Sequence, residues 1–421
     1  MYKKTVLENG LKITAHQMGS MQSVALGIWI KTGGRYETAR YKGIAHYLEH
    51  LVFKGSKKYS CRSIKESIEG IGGSLNGFTS EELTCYLVKL PKLHLDLAVD
   101  ILSDMSINPL LDQKEITKER TVILEEAKMY KDLPQSYVYE LLDELMWPGQ
   151  PLGTTIIGTP ESINRINKQE LSLFKNQYYV PSNIVVSVAG SFEYNKFLKH
   201  IKHIFSPLKS GVRSRFVGVK ETQGRPQLKL LHKDTEQTHL ALGFHGVKRE
   251  DPLKYALGLL HIILGANMSS RLFNEVREKK GLAYEIGTQV KYFQDTGAFI
   301  VHAGIDNRKV NQALGLILQE LEKTKEKLVS NDEFRRAKDF YLGQLALSLE
   351  DTLDHMLWIG ESTASIGKVY SLQDTIQKVN QVKREDIRSA AGYIFKEKSL
   401  NAAMIGPLKD SEQSIYNQLS L

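Results

Sequence analysis

The segment Gly43-Ile44-Ala45-His46-Tyr47-Leu48-Glu49-His50-Leu51-Val52-Phe53 carries two histidines four positions apart with a glutamate between them. Its residues favour a helix, and in a helix positions i and i+4 lie one turn apart on the same face, so both imidazoles can reach one ion. Zinc takes about three protein ligands and keeps an open position for water, so a third ligand must come from elsewhere and Glu49 is left beside the metal as a base. The chemistry would be metal-assisted hydrolysis. The order His-x-x-Glu-His is the inverse of the commoner zinc motif.

A second acidic segment, Glu119-Arg120-Thr121-Val122-Ile123-Leu124-Glu125-Glu126, sets Glu119 and Glu126 two helical turns apart and so on one face. Carboxylates stacked this way repel unless something positive lies against them. A metal ligand with a supporting carboxylate is one arrangement that answers this; a plain solvated helix is the other.

With these residues the sequence resembles the pitrilysin and mitochondrial-processing-peptidase family of inverted-motif zinc peptidases, in its short form, over nearly the whole chain. In that family the third ligand is a glutamate about 76 residues after the second histidine, which is Glu126 in this sequence. The resemblance implies that Glu119 is the supporting carboxylate and Glu125 an exposed neighbour. Further stretches are similar to the family pattern: Gly72-Gly73-Ser74-Leu75-Asn76-Gly77-Phe78-Thr79, Pro151-Leu152-Gly153 with Gly158-Thr159-Pro160, and Ser270-Arg271-Leu272-Phe273 running on to Gly281-Leu282-Ala283-Tyr284. They imply that Asn76 lies on an edge strand that holds substrate backbone, and that Arg277 and Tyr284 bind the substrate carbonyl near the scissile bond.

The implied activity is that of a zinc metalloendopeptidase. Its cofactor is Zn²⁺, its metal ligands are His46, His50 and Glu126, its base is Glu49, and its substrates are short or unfolded peptides cut within a closed chamber. The implied architecture is one half of a clamshell, paired as a homodimer in which Arg277 and Tyr284 of one protomer complete the site of the other. The alternative is a non-catalytic member of the family acting as a partner subunit or scaffold. Such members typically have a damaged motif, and here all four positions are intact.

The elements that must position these residues are duplicated. Val24-Ala25-Leu26-Gly27-Ile28 and Leu240-Ala241-Leu242-Gly243-Phe244 are 216 positions apart, and so are the apolar strands that end at Gly190 and Gly406. Two elements sharing one offset argue for two copies of a unit. Short β-branched runs such as Asn183–Val188 alternate with amphipathic stretches such as Leu97–Ser106 and Val310–Lys327, so each copy reads as a mostly antiparallel sheet packed with helices, an α+β fold. Glu8-Asn9-Gly10-Leu11 predicts an early hairpin. Pro207, Gly211, Gly218, Gly224 and Pro226 mark a linker, which gives a catalytic domain over 1–210 and a second domain over 225–421. The offset carries His46, Glu49 and His50 onto Ile262, Gly265 and Ala266, so the second copy lacks the ligands.

At 421 residues the chain exceeds the usual size of one hydrophobic core. With 42% apolar and 25% charged residues it reads as ordinary globular protein. The net charge of +8 is scattered among acidic partners, which argues against nucleic acid. No apolar run is long enough to cross a bilayer and no leader precedes the first strand, so no membrane partner and a cytoplasmic location are expected. The basic balance also argues against presequence processing. Cys61 and Cys85 are expected as packing residues rather than a disulfide or ligands, and His94, His232 and His245 as ordinary histidines.

Overall fold

The computed structural model describes residues 2–409 and 411–420. Two compact units are built from discontinuous stretches. The first comprises Met1–Lys128, Thr154–Val217 and Ala346–Ser371, and the second Met129–Gly153, Gly218–Leu345 and Leu372–Leu421.

The first unit holds a six-stranded sheet of β1 (Lys3–Val6), β2 (Lys12–Gln17), β3 (Ser23–Ile30), β4 (Ser74–Thr79), β5 (Thr84–Pro91) and β6 (Ile184–Gly190), in the order β1-β2-β6-β3-β5-β4. Strand β2 runs parallel to β6; the other pairings are antiparallel. The second unit holds β7 (Gln227–His232), β8 (Gln237–His245), β9 (Ala283–Tyr292), β10 (Gly297–Asp306) and β11 (Asn401–Gly406), in the order β7-β11-β8-β10-β9. Here β7 runs parallel to β11 and the remaining pairs are antiparallel. With β1 set aside, strand order and direction are the same in both units, as a duplicated sequence requires. The fold is α+β, with mostly antiparallel sheets packed by helices, as expected.

The strands at the centre of each sheet are apolar on both faces because both faces are covered. Along β3, Val24, Leu26, Ile28 and Ile30 enter the main core of the first unit, while Ala25 and Trp29 face the opposite way and pack with Met356 and Ala364. That second face is closed by the helix Thr352–Ile366, which comes from far along the chain. The second unit mirrors this: Ala241, Ala298, Ile300, Ala403 and Ile405 pack against Val138, Leu141, Leu142 and Met146 of the helix Pro134–Met146. A division of the sequence at the linker assigns each of these helices to one half, and packing gives each to the unit whose sheet lies in the other half. Close approach is possible because β3 and β8 carry glycine where the helix crosses. A Cβ at Gly27 would lie 2.5 Å from Met356 Sδ, and one at Gly243, its repeat equivalent, 2.7 Å from Met146 Sδ.

Asn9-Gly10 turns the chain between β1 and β2 as expected, with Gly10 at φ +90° and Leu7 N–H donating to Leu11 O at 2.9 Å. Residues 209–226 form neither helix nor strand, and one of the points at which the chain passes between the units, Val217 to Gly218, falls within them. Among the described residues no helix is long and apolar enough to cross a membrane.

Candidate metal centre

His46, Glu49 and His50 lie on the helix Ile44–Val52, as the spacing predicts. Its apolar residues Ile44, Ala45, Tyr47, Leu48, Leu51 and Val52 enter the core of the first unit. The glutamates lie on the helix Gln113–Asp132, anchored in the same core by Ile116 and Ile123. The Tyr47 hydroxyl donates to Ile116 O and ties the two helices together.

That packing brings the three expected ligands to one point. His46 Nε2 lies 3.8 Å and His50 Nε2 3.6 Å from Glu126 Oε2, and the three ligand atoms fall within 4.8 Å of one another. The two nitrogen–oxygen separations are too long for hydrogen bonds. They are close to the roughly 3.4 Å expected between ligand atoms of a tetrahedral zinc with bonds of about 2.1 Å. Two imidazoles and a carboxylate are also a donor set that zinc accepts with a position left open. Burial, with a smaller effect from His50, lowers the His46 pKa to about 3. The ring is therefore neutral near pH 7, its lone pair available, and its contact with Glu126 is not an ion pair.

Glu119 is buried behind His50. Its carboxylate lies 3.2 Å from His50 Nδ1 and 2.6 Å from Lys54 Nζ. With Nδ1 donating to Glu119, the His50 tautomer that leaves Nε2 free for a metal is favoured. His46 Nδ1 is buried with no hydrogen-bond partner among the described residues.

Glu49 is 9% exposed, and Thr79 Oγ1 donates to its Oε2 at 2.9 Å. Burial raises its pKa, opposed by the Thr79 hydrogen bond and by His50. Thr79 is a partner that the residue-type reading did not single out. It closes the strand that carries Asn76, and its sequence position offered no signal of this contact.

Asn76 is exposed on β4, at one edge of the first unit's sheet, and its Oδ1 accepts from Gly77 N–H at 2.8 Å. Arg277 and Tyr284 belong to the second unit. Arg277 sits in a π-helical turn, Phe273–Glu278, and its guanidinium lies 4.6 Å from the Phe273 ring centre and 5.6 Å from that of Tyr284. Tyr284 is 74% exposed at the start of β9. Cys61 and Cys85 are free thiols. His245 is buried, with Nε2 at 2.8 Å from Met146 O.

Known proteins bear on this arrangement in three ways. A family model described as Insulinase (Peptidase family M16) matches residues 13–160, which contain the helix pair, and one described as Peptidase M16 inactive domain matches residues 165–341, which contain Arg277 and Tyr284. A Bacillus subtilis protein named as the uncharacterized zinc protease YmxG is 35% identical over 97% of this chain and 98% of its own length. An uncharacterized zinc protease of Streptomyces coelicolor is 34% identical over 98% of this chain and 91% of its own length. The crystal structure of a protease from Helicobacter pylori superposes with a TM-score of 0.91 at 24% identity, over 97% of this chain and 99% of that one. The chain belongs to the M16 peptidase family. The nearly complete coverage of these relatives shows that it is of the short, roughly 420-residue form.

Proposed function

We propose that this protein is a zinc metalloendopeptidase that hydrolyses short or unfolded peptides. The observation that carries the reading is the convergence of His46 Nε2, His50 Nε2 and Glu126 Oε2 beside a buried Glu49. Bound at these three atoms, zinc would supply a Lewis acid that polarises a peptide carbonyl and makes water acidic enough to be deprotonated near neutral pH.

Glu49 takes the proton from the attacking water and delivers it to the leaving amine. Its burial suits that exchange, since desolvation raises its pKa above the ordinary carboxylate range and makes it a stronger base. Thr79 engages Oε2, which leaves Oε1 as the atom that carries the proton. Glu119, fixed by Lys54, holds the His50 ring in register. The exposed β4 edge with Asn76 offers backbone groups to an extended peptide. Arg277 and Tyr284 bind the substrate carbonyl; their exposure and mutual proximity support that role. The working form is a homodimer enclosing a chamber, in which these two residues serve the partner's metal site. The free thiols fit a cytoplasmic setting.

Cleavage of an internally quenched, unfolded peptide by the purified protein tests this, with a chelator control and Glu49→Gln alongside. The expected outcome is chelator-sensitive cleavage that falls by at least about 10²-fold in the variant, the scale of a lost general base, with zinc content unchanged. No cleavage by protein that carries zinc would instead favour the partner-subunit reading.

A further inference from the structure

The helix Ile44–Val52 begins at Gly43, which has no side chain to accept from the first amides. A helix start leaves four N–H groups without intrahelical partners, and a buried one left unsatisfied is costly. No capping side chain fits at position 43 itself: Gly43 has φ +88°, and a Cβ there would overlap Ile157 O. The acceptor comes instead from Glu37. Its Oε2 accepts from Gly43 N–H at 2.9 Å and its Oε1 from Ala45 N–H at 2.8 Å, so one carboxylate spans the amides just before His46.

Glu37 is itself held. It is 6% exposed and follows a short turn, Gly34–Tyr36, whose carbonyl at Gly34 accepts from Lys42 Nζ at 2.9 Å. The same turn is clipped to the chain just beyond Thr79: Gly34 N–H donates to Ser80 O at 3.1 Å and Arg35 N–H to Glu81 O at 2.8 Å. The segment that carries Glu37 is thus bonded both to the start of the ligand helix and to the residues adjoining the hydroxyl that holds Glu49. A carboxylate at a helix N-terminus is also favoured by the helix dipole.

We propose that Glu37 is a positioning residue of the metal site, its carboxylate fixing the first turn of the helix that carries His46 and so the direction in which that imidazole points. This rests on the reading of His46, His50 and Glu126 as zinc ligands. Glu37 touches neither substrate nor metal and acts through the backbone at Gly43 and Ala45.

The test measures zinc dissociation constants by chelator competition on the full chain. It uses the unsubstituted protein, Glu37→Gln, Glu37→Ala and His46→Ala, with Gly360→Ala as a control that destabilises the same unit by overpacking it elsewhere. Loss of an outer partner of a metal site typically weakens metal affinity 10- to 100-fold. Glu37→Ala is therefore expected to weaken zinc binding by about tenfold or more, and Glu37→Gln, which keeps one oxygen, by less, while Gly360→Ala binds zinc as the unsubstituted chain does. Should Glu37→Ala not fold, Glu37→Gln carries the test. Zinc affinity unchanged in the Glu37 variants, with His46→Ala defective, overturns the positioning role and leaves the metal site standing. Equal weakening in Gly360→Ala overturns it too, since the effect would then follow stability. Zinc binding that His46→Ala does not weaken overturns both readings.

Discussion

At the scale of single residues, the base and its hydroxyl partner make a prediction that separates orientation from metal binding. The Thr79 hydrogen bond favours the ionised form of Glu49, and burial opposes it. Removing the hydroxyl in Thr79→Val leaves burial in place, so the Glu49 pKa must rise. The acid limb of kcat/KM should therefore move to higher pH, with zinc content unchanged. A limb that stays in place would mean that Glu49 does not set it. His46, Glu49 and His50 were legible in the sequence because helical periodicity turns a spacing of four into proximity. Glu126 came from a resemblance, since nothing in spacing alone links position 126 to position 50. Thr79 and Glu37 were not legible as partners of the site, because what joins them to the helix is sheet pairing and a folded-back loop, which leave no periodic trace.

At the scale of elements, the strands and most helices were readable and their destinations were not. The stretch read as helical over Leu97–Ser106 lies inside the helix Leu95–Ile107, and Val310–Lys327 corresponds to the helix Val310–Glu326. An apolar stripe reports that a helix face is buried, but it does not name the surface that buries it. A division at the linker therefore leaves the helices Pro134–Met146 and Thr352–Ile366 each in one half by chain order alone, and packing places each on the sheet of the other half. The contact that permits this is tight. A Cβ at Gly360 would overlap Trp29 Nε1, whose own hydrogen bond goes to Ser187 Oγ at 2.8 Å. Gly360→Ala should accordingly destabilise the fold by about 1–3 kcal/mol, the usual cost of overpacking a filled core. Denaturant unfolding of the full chain would show this as a lower midpoint at constant slope. A gain in stability, from the better helix propensity of alanine, would mean that the helix shifts freely on the sheet.

For the whole molecule, the exchange makes the two halves of the sequence depend on each other for completion of their own sheets. A fragment of residues 1–217 contains all six strands of the first sheet yet lacks the helix that covers Ala25, Trp29, Cys85, Leu87, Val185 and Ala189. Each large apolar side chain returned to water costs about 1.5–3 kcal/mol. A domain is typically stable by only about 5–15 kcal/mol, so exposing this face consumes most of its margin. The fragment would also carry the helix Pro134–Met146, whose apolar face packs on the second unit's sheet. It should therefore be aggregated or lack a cooperative unfolding transition when expressed alone. Co-expression with residues 218–421 supplies each missing helix in trans and should recover a soluble complex that binds zinc. A cooperative transition in the isolated fragment at the midpoint of the full chain would show instead that the covering helix is dispensable. The duplicated strand order would then describe two self-sufficient domains rather than two sheets completed by exchange.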